Sequence, residues 1–289
     1  MLRREQAMKA LELITVLLLS GCCLARAEDA KPIVQQAVDA ELAADRSDHS
    51  HWIFYEIDRK PKTSVRQWVA QTEKGDVVRV LMRNGRPVPA AQQRQSIESF
   101  VHDSNVQARQ RQSSQHDDQQ ASALTKLLPV AFVWTVTGKN DQTTSLHFKP
   151  DPSFHPPNRE ARVFAAMEGD MTVENTHHRI QELKGQLIHD VDFGWGLLGK
   201  LQKGGSFNIE RRQIGPGIWD ITATHVHISG RALIFKSISE QEDDEKSSFS
   251  REPDNVTLEQ AASAVMQKPA EGSQEARIGP PTAAARLSR

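Results

Sequence analysis

After Cys22 and Cys23 the chain has no cysteine, so the folded part has no disulfide, no thiolate metal ligand and no cysteine nucleophile. It also lacks a charge excess of either sign. The 36 basic and 37 acidic residues leave a net charge of −1, which gives no electrostatic reason to expect nucleic acid as a partner. Residues 10–20 form an apolar run interrupted by Glu12 and Thr15, well short of the roughly 20 residues that span a bilayer. GxSxG, HExxH and P-loop patterns are missing too, and with them the commonest hydrolase, zinc-protease and nucleotide signatures. These absences predict a protein that is not an enzyme and needs no cofactor or metal.

What is present begins with an export address. Arg3, Arg4 and Lys9 precede the short apolar run, which ends in Leu19-Ser20-Gly21-Cys22. This is the pattern of a bacterial lipoprotein signal, in which small residues precede a cysteine that accepts lipid. Met8 offers a tidier start for the same signal. A second cut site follows, because Ala25-Arg26-Ala27 fits ordinary signal peptidase and would release a soluble protein beginning at Glu28. Lipid on Cys22 would hold the protein on a membrane surface, each buried methylene contributing about 0.8 kcal/mol. Cleavage before Cys22 removes Arg3, Arg4, Lys9, Glu5 and Glu12 and leaves 33 basic and 35 acidic residues. The expected location is the periplasm of a bacterial envelope.

The rest reads as a mainly β, α+β chain. Ile33, Val34, Ala37, Val38, Glu41 and Leu42 recur at helical spacing over residues 30–44, with Pro32 tolerable in the first turn. Alternation then predicts strands at 52–58, 65–73 and 76–83, the last two joined by a short Gly75 turn and therefore antiparallel. In the third strand Val78, Val80 and Met82 share one face and Arg79, Leu81 and Arg83 the other, so the first should be dry and the second largely wet. Residues 89–112 and 117–128 carry helical composition, stopped by Pro129. Further strands are expected at 130–138, 143–149, 161–169, 171–174, 179–183, 186–193, 206–214, 218–228 and 231–238, with no helix between them. From Ser239 the chain turns acidic and then Pro/Ala-rich, which predicts a solvated, mostly disordered tail. Thr257-Leu-Glu-Gln260 inside it is a capping box for a short helix over 257–267 that docks weakly or not at all. The domains are thus a signal at 1–27, a β domain at 28–238 with a helical insertion at 89–128, and a tail at 239–289.

Several patterns look like sites. Gly194-Trp-Gly-Leu-Leu-Gly199 matches a dinucleotide fingerprint, but Gly204-Gly205 follows after five residues, where a helix should hold the pyrophosphate. A bent β-ribbon fits better. His225 and His227 share a strand face and could hold one metal, with Asp220 or Asp192 as nearby candidates, although surface histidines are the ordinary explanation. Asp190 and Asp192 would likewise share a face, as glycosidase carboxylates do, and a solvated face explains them equally. Aromatic residues carry the remaining signal. A sheet too large for its helices to cover, lined by Trp52, Phe54, Trp134, Phe148, Trp195 and Trp219, would form a groove for a lipid acyl chain.

The order of an N-terminal helix, three antiparallel strands, a helical insertion and a long strand meander over residues 31–238 resembles the LolA/LolB-like family of lipoprotein and lipid carriers. The segments Val191-Asp-Phe-Gly-Trp-Gly-Leu-Leu-Gly199 and Arg231-Ala-Leu-Ile-Phe-Lys236 are similar to stretches of an uncharacterised envelope group of this architecture. The resemblance implies a curved antiparallel sheet forming a half-open barrel, with acyl chains of lipids or lipoproteins as partners. The insertion departs from the family's plug: Gln107-Ala-Arg-Gln-Arg-Gln-Ser-Ser-Gln115 is polar, where a lipid gate should be apolar. The same scaffold, filled by its own side chains, would instead be a structural or sensor domain that binds another envelope protein through its edge strands.

Overall fold

The computed structural model describes residues 29–193, 199–232 and 241–270. The export signal with Cys22, Trp195 in its glycine-rich segment, residues 233–238 of the last expected strand and the chain from residue 271 lie outside the described residues.

The N-terminal helix α1 spans Ala30–Ser47, three residues beyond the expected end, and the Asp29 side chain caps it by accepting from the Lys31 N–H. Its buried stripe is Ala30, Val34, Ala37, Val38 and Glu41. Each fully buried valine there contributes about 1.5–3 kcal/mol. The strands β1 (Trp52–Lys60), β2 (Thr63–Ala70) and β3 (Val77–Arg83) follow, and a two-residue strand β4 (Arg86–Pro87) ends the run. All are antiparallel neighbours, as the short turns require.

The helical insertion breaks earlier than composition suggests. Helix α2 is Ala90–His102 and α3 is Ser104–Thr125, and Asp103 divides them because its carboxylate accepts from the N–H groups of Asn105 and Val106. Such a cap starts a new helix in a chain otherwise rich in helix formers. A short helix α4 (Leu128–Ala131) leads into β5 (Phe132–Lys139) and β6 (Thr143–Pro150). Residues 161–169, expected to be extended, divide instead into a 3₁₀ turn over Glu160–Ala166 and the start of β7 (Met167–Glu174). The Asn158 side chain accepts from the Ala161 N–H and begins that turn. Strand β8 (Ile180–Leu187) bridges the gap expected between two shorter strands, and β9 (Val191–Phe193), β10 (Gly199–Leu201), β11 (Ser206–Gly215), β12 (Ile218–His227) and β13 (Gly230–Ala232) follow.

The largest departure from expectation is the acidic stretch after Ser239. Gln241–Arg251 is not a solvated tail but β14, lying between β1 and β12 in an 11-stranded sheet of order β4-β3-β2-β1-β14-β12-β11-β8-β7-β6-β5. Its charges meet partners across the ladder: Arg59 pairs with Glu245, Lys60 with Glu242, and His225 and His227 with Asp243. Helix α5 (Leu258–Gln267) has the expected capping box, yet it docks firmly, burying Leu258, Ala261 and Val265 against Ile53, Tyr55, Trp68, Val77, Leu81 and Ile97.

That docking reverses the expected faces of β3. The residues buried on it are Val77 and Leu81, on the side that also carries Arg79. Arg79 is not wet, because its guanidinium donates to the carbonyls of Val265, Met266 and Lys268 at 3.0, 3.1 and 2.7 Å and so satisfies the open C-terminal end of α5. Replacing Arg79 by methionine keeps the stem and removes those donors. Amide exchange across residues 258–267 is then expected to speed up by an amount equivalent to about 1–3 kcal/mol, and unchanged exchange would show that the contacts do not hold the helix.

Two rows across the sheet show how its faces differ. One row runs Val65, Asp58, Asp244, Thr224, Ile209, Leu183, Met171, Leu146, Val136 from β2 to β5. Its β5–β8 members, Val136, Leu146, Met171 and Leu183, pack with α1 in the main core, while its centre is polar. The neighbouring row, on the opposite face, runs Arg59, Asp243, His225, Asn208, Lys184, Asp170, His147, Thr135. Every member is polar, so this face is wet between the α5 region and β5. Gly169 and Gly185 are partnered across β7 and β8, and a Cβ on Gly169 would lie 2.0 Å from the Lys184 carbonyl oxygen. Only glycine permits that approach.

Candidate functional site

The α1 helix is clamped to the sheet by a buried ion cluster. The Glu41 carboxylate accepts from Arg179 Nε and Nη2 at 3.1 and 2.7 Å and from the Ile180 N–H at 2.7 Å, and Arg211 Nη2 stands 3.0 Å away. The Glu41 and Arg179 side chains are 4% and 6% exposed. Asp45, one turn on, is held above the usual carboxylate range by burial, despite nearby Arg211. Both oxygens of Glu41 are taken up by these donors, so the cluster fastens α1 and leaves the carboxylate no place for a ligand.

The structure distributes the expected aromatic lining rather than gathering it. Trp52 and Phe54 are buried in a small cluster with Val69, closed by Val78, Ile214, Ile218 and Phe249, and the Lys246 ammonium sits 5.2 Å from the centre of the Phe54 ring. Trp134 and Phe148 belong to the main core, where they stack with Phe132 at ring separations of 4.6–5.9 Å. Trp219 is half-buried on β12, and its Nε1 is buried with no hydrogen-bond partner. A hollow of about 520 Å³ lies along α3 against Arg109, Gln112, Ser113, Gln115, His116 and Gln119. Its lining is polar and none of the aromatic candidates borders it.

Between the aromatic clusters the α1 face is acidic. Asp58 and Asp244 stand directly opposite each other across β1 and β14, next to the pair Glu56 and Lys246. The Oδ1 atoms of Asp58 and Asp244 are buried without a hydrogen-bond partner among the described residues. Burial, with Glu56 and Asp58 adding repulsion, pushes Asp244 up to about 7. Asp76 is pushed up to about 6, again mainly by burial. Lys60 loses hydration on the same face, yet hydrogen bonds to Glu242 and Asp58 keep its affinity for a proton above the ordinary lysine value.

On the wet face His225 Nδ1 and His227 Nε2 both approach Asp243 Oδ1, at 2.8 and 3.2 Å. Asp220 instead accepts from the Ile221 N–H, and Asp190 is tied to Lys200 and the Lys203 N–H. Among the described residues, no group of three His, Cys, Asp or Glu side chains is placed to hold a metal ion. No helix among them is long and apolar enough to cross a membrane.

The two ends of the sheet differ in a way that matters for binding. At one end β4 is two residues, Arg86 and Pro87, and a short, charged, proline-bearing edge is poorly suited to pairing. At the other end β5 presents eight residues. All but the last, Lys139, belong to the uncharged run between Lys126 and Lys139. The large hydrophobic residues exposed among the described residues, Val130 at 48% and Val133 at 52%, both lie in that run. The sequence places a strand here, but Val130 and Val133 escape notice because core and edge valines look alike in periodicity. The uncharged run, next to a charge-bearing β6 and β7, is the signal that marks it.

No protein-family model matches this chain, and no curated protein or solved structure is similar to it.

Proposed function

We propose that this protein is a non-enzymatic interaction domain of the bacterial cell envelope, exported on its N-terminal signal and held at a membrane surface by lipid on Cys22. It binds another polypeptide by adding a strand to β5. The observation that carries this reading is the asymmetry of the sheet edges, one blunted by Arg86 and Pro87 and the other long, uncharged up to Lys139, with Val133 exposed on it and Val130 exposed just before it. An unpaired edge offers a row of N–H and C=O groups, and an added strand gains main-chain hydrogen bonds while alternate side chains set specificity.

The other use of such a sheet, as a cradle for an acyl chain, is less favoured by the same geometry. Hydrocarbon laid across the α1 face would cover Glu56, Asp58, Glu242 and Asp244, four carboxylates of which two share the single ammonium of Lys60 as ion-pair partner, and burying such an acidic cluster costs several kcal/mol. Of the aromatic residues that would line the cradle, Trp52 and Phe54 are packed into one cluster and Trp134 and Phe148 into another.

A photoreactive side chain in place of Val133, introduced in intact cells, is expected to give a discrete protein adduct. The same group in place of Gln181, an exposed position within β8, is expected to give none. Equal labelling at the two positions would contradict the edge reading, as would a non-covalent lipid retained in stoichiometric amount through mild detergent extraction.

A further inference from the structure

The strand ends of the large sheet form two rims, and one of them gathers unpaired cations. Every neighbouring pair in the sheet is antiparallel, so the turn between β1 and β2, the turn between β3 and β4 and the 3₁₀ turn entering β7 share one rim. Lys62 lies in the first of these turns, Arg83 and Arg86 flank the second, and Arg159 and Arg162 lie at the third. All five side chains are exposed, and among the described residues no carboxylate pairs with any of them. On the same rim Glu242 and Asp190 are each neutralised, by Lys60 and Lys200 at 2.9 Å. The opposite rim carries Glu73, Asp141, Glu174 and Glu252 in or beside its turns. A chain with a net charge of −1 is thus polarised from rim to rim.

Helix α1 begins on the cationic rim. Glu41, toward its far end, accepts from the N–H of Ile180, the first residue of β8, which lies on the acidic rim. About 16 Å back along the helix axis, Ala30 is buried in the main core, and Lys31 stands close enough to Asp151, just past the end of β6, to act on its carboxylate. Asp29 is seven residues after Cys22, a tether of at most roughly 25 Å. The anchor therefore joins the fold on the side where the free cations are.

Resting on the reading of Cys22 as a lipid anchor, we infer that the cationic rim is a docking surface for anionic phospholipid headgroups. The sheet then stands with its strands along the membrane normal and its acidic rim turned away. An anionic surface attracts each Lys or Arg brought close to it and repels carboxylates, so both rims favour this one orientation. Four of the five cations are arginines, whose planar fork matches phosphate oxygens. The β5 edge rises from the membrane with Phe132 nearest to it and Lys139 farthest, open along its length to a partner strand.

Flotation with vesicles tests the surface apart from the anchor, using the full exported chain with Cys22→Ser, which removes the acceptor thiol. Binding is expected to vesicles of phosphatidylglycerol and phosphatidylcholine in equal parts, weakening with salt, and not to phosphatidylcholine alone. Arg83→Gln and Arg86→Gln should each lower the partition coefficient about five-fold, and Arg159→Gln and Arg162→Gln should do the same if either of those fails to fold. Lys74→Gln, on the acidic rim, should leave it unchanged. Equal partition onto both kinds of vesicle, or an equal loss from Lys74→Gln, would overturn the lipid surface. The mass of the parent protein from cells reads the anchor separately. Acyl chains on Cys22 without any preference for anionic vesicles would overturn the surface and keep the anchor, whereas anionic binding without acyl chains would overturn the anchor and keep the surface.

Discussion

Substituting Glu41 by alanine is expected to cost about 3–5 kcal/mol, the range for breaking a buried ion pair from one side. The loss is large because the partner groups stay behind. Arg179, itself buried, would keep its charge with neither Glu41 oxygen to receive its Nε and Nη2 donors, and the Ile180 N–H would lose its acceptor. Urea denaturation at neutral pH measures the effect, and a loss below about 1 kcal/mol would show that α1 is held by its apolar stripe alone. Glu41→Gln should fall between, because an amide oxygen still accepts but without charge. Replacing Glu41 and Arg179 together by apolar residues of similar volume should recover much of the loss, since the pair's desolvation offsets most of its attraction.

Asp244→Asn is expected to act in the opposite direction and only above acid pH. Burial, followed by repulsion from Glu56, raises the folded-state value of Asp244 from an ordinary 3.8 to about 7. Below about pH 4 both folded and unfolded chains hold the proton and the group contributes no penalty. As pH rises toward 7 the unfolded chain binds fewer protons than the folded one, so stability falls. Above pH 7 the full penalty is present, about 2–4 kcal/mol. The substituted amide cannot ionise, so the variant should match the parent near pH 4 and exceed it by that amount at pH 8. Asp76, raised to about 6 by burial, leaves a smaller slope of the same sign. Urea titrations at the two pH values decide the matter: equal effects at both would mean that ionisation of the buried Asp244 is not the source of the pH dependence.

These two residues also show how far the sequence could be read. Glu41 falls on the apolar stripe of α1 at helical spacing, so its burial was within reach of pattern alone, but its arginine partners lie on strands far along the chain. The antiparallel sheet, the first three strands and the N-terminal helix follow from alternation and spacing. Strand β14 does not. Its run of Glu and Asp has the composition of a solvated tail, and what makes it a strand is Arg59, Lys60, His225 and His227 on its neighbours. Charge neutralised across a ladder leaves no local trace. The depth at which α5 docks is equally non-local, since it depends on Trp68 donating to the Pro269 carbonyl and on Arg79. The break at Asp103 went against the continuous helix expected over 89–112, because helical composition outweighed a single capping residue.

Of the proposed site, the β5 strand was legible and its position in the sheet was not. Edge or centre is decided by which strands pair, and here the C-terminal β14 takes the central place that keeps β1 and β12 apart. With the middle of the sheet filled from the far end of the chain, β5 is left at its border.

Hydrogen exchange resolved along the chain tests this arrangement most directly. The expected result is that amides of residues 243–245 in β14, paired with both β1 and β12 despite their acidic side chains, exchange among the slowest in the sheet, while alternate amides within β5 exchange among the fastest. Rapid exchange throughout residues 241–251 together with uniformly slow exchange across 132–139 would contradict it, because the acidic segment would then be no strand and β5 no open edge.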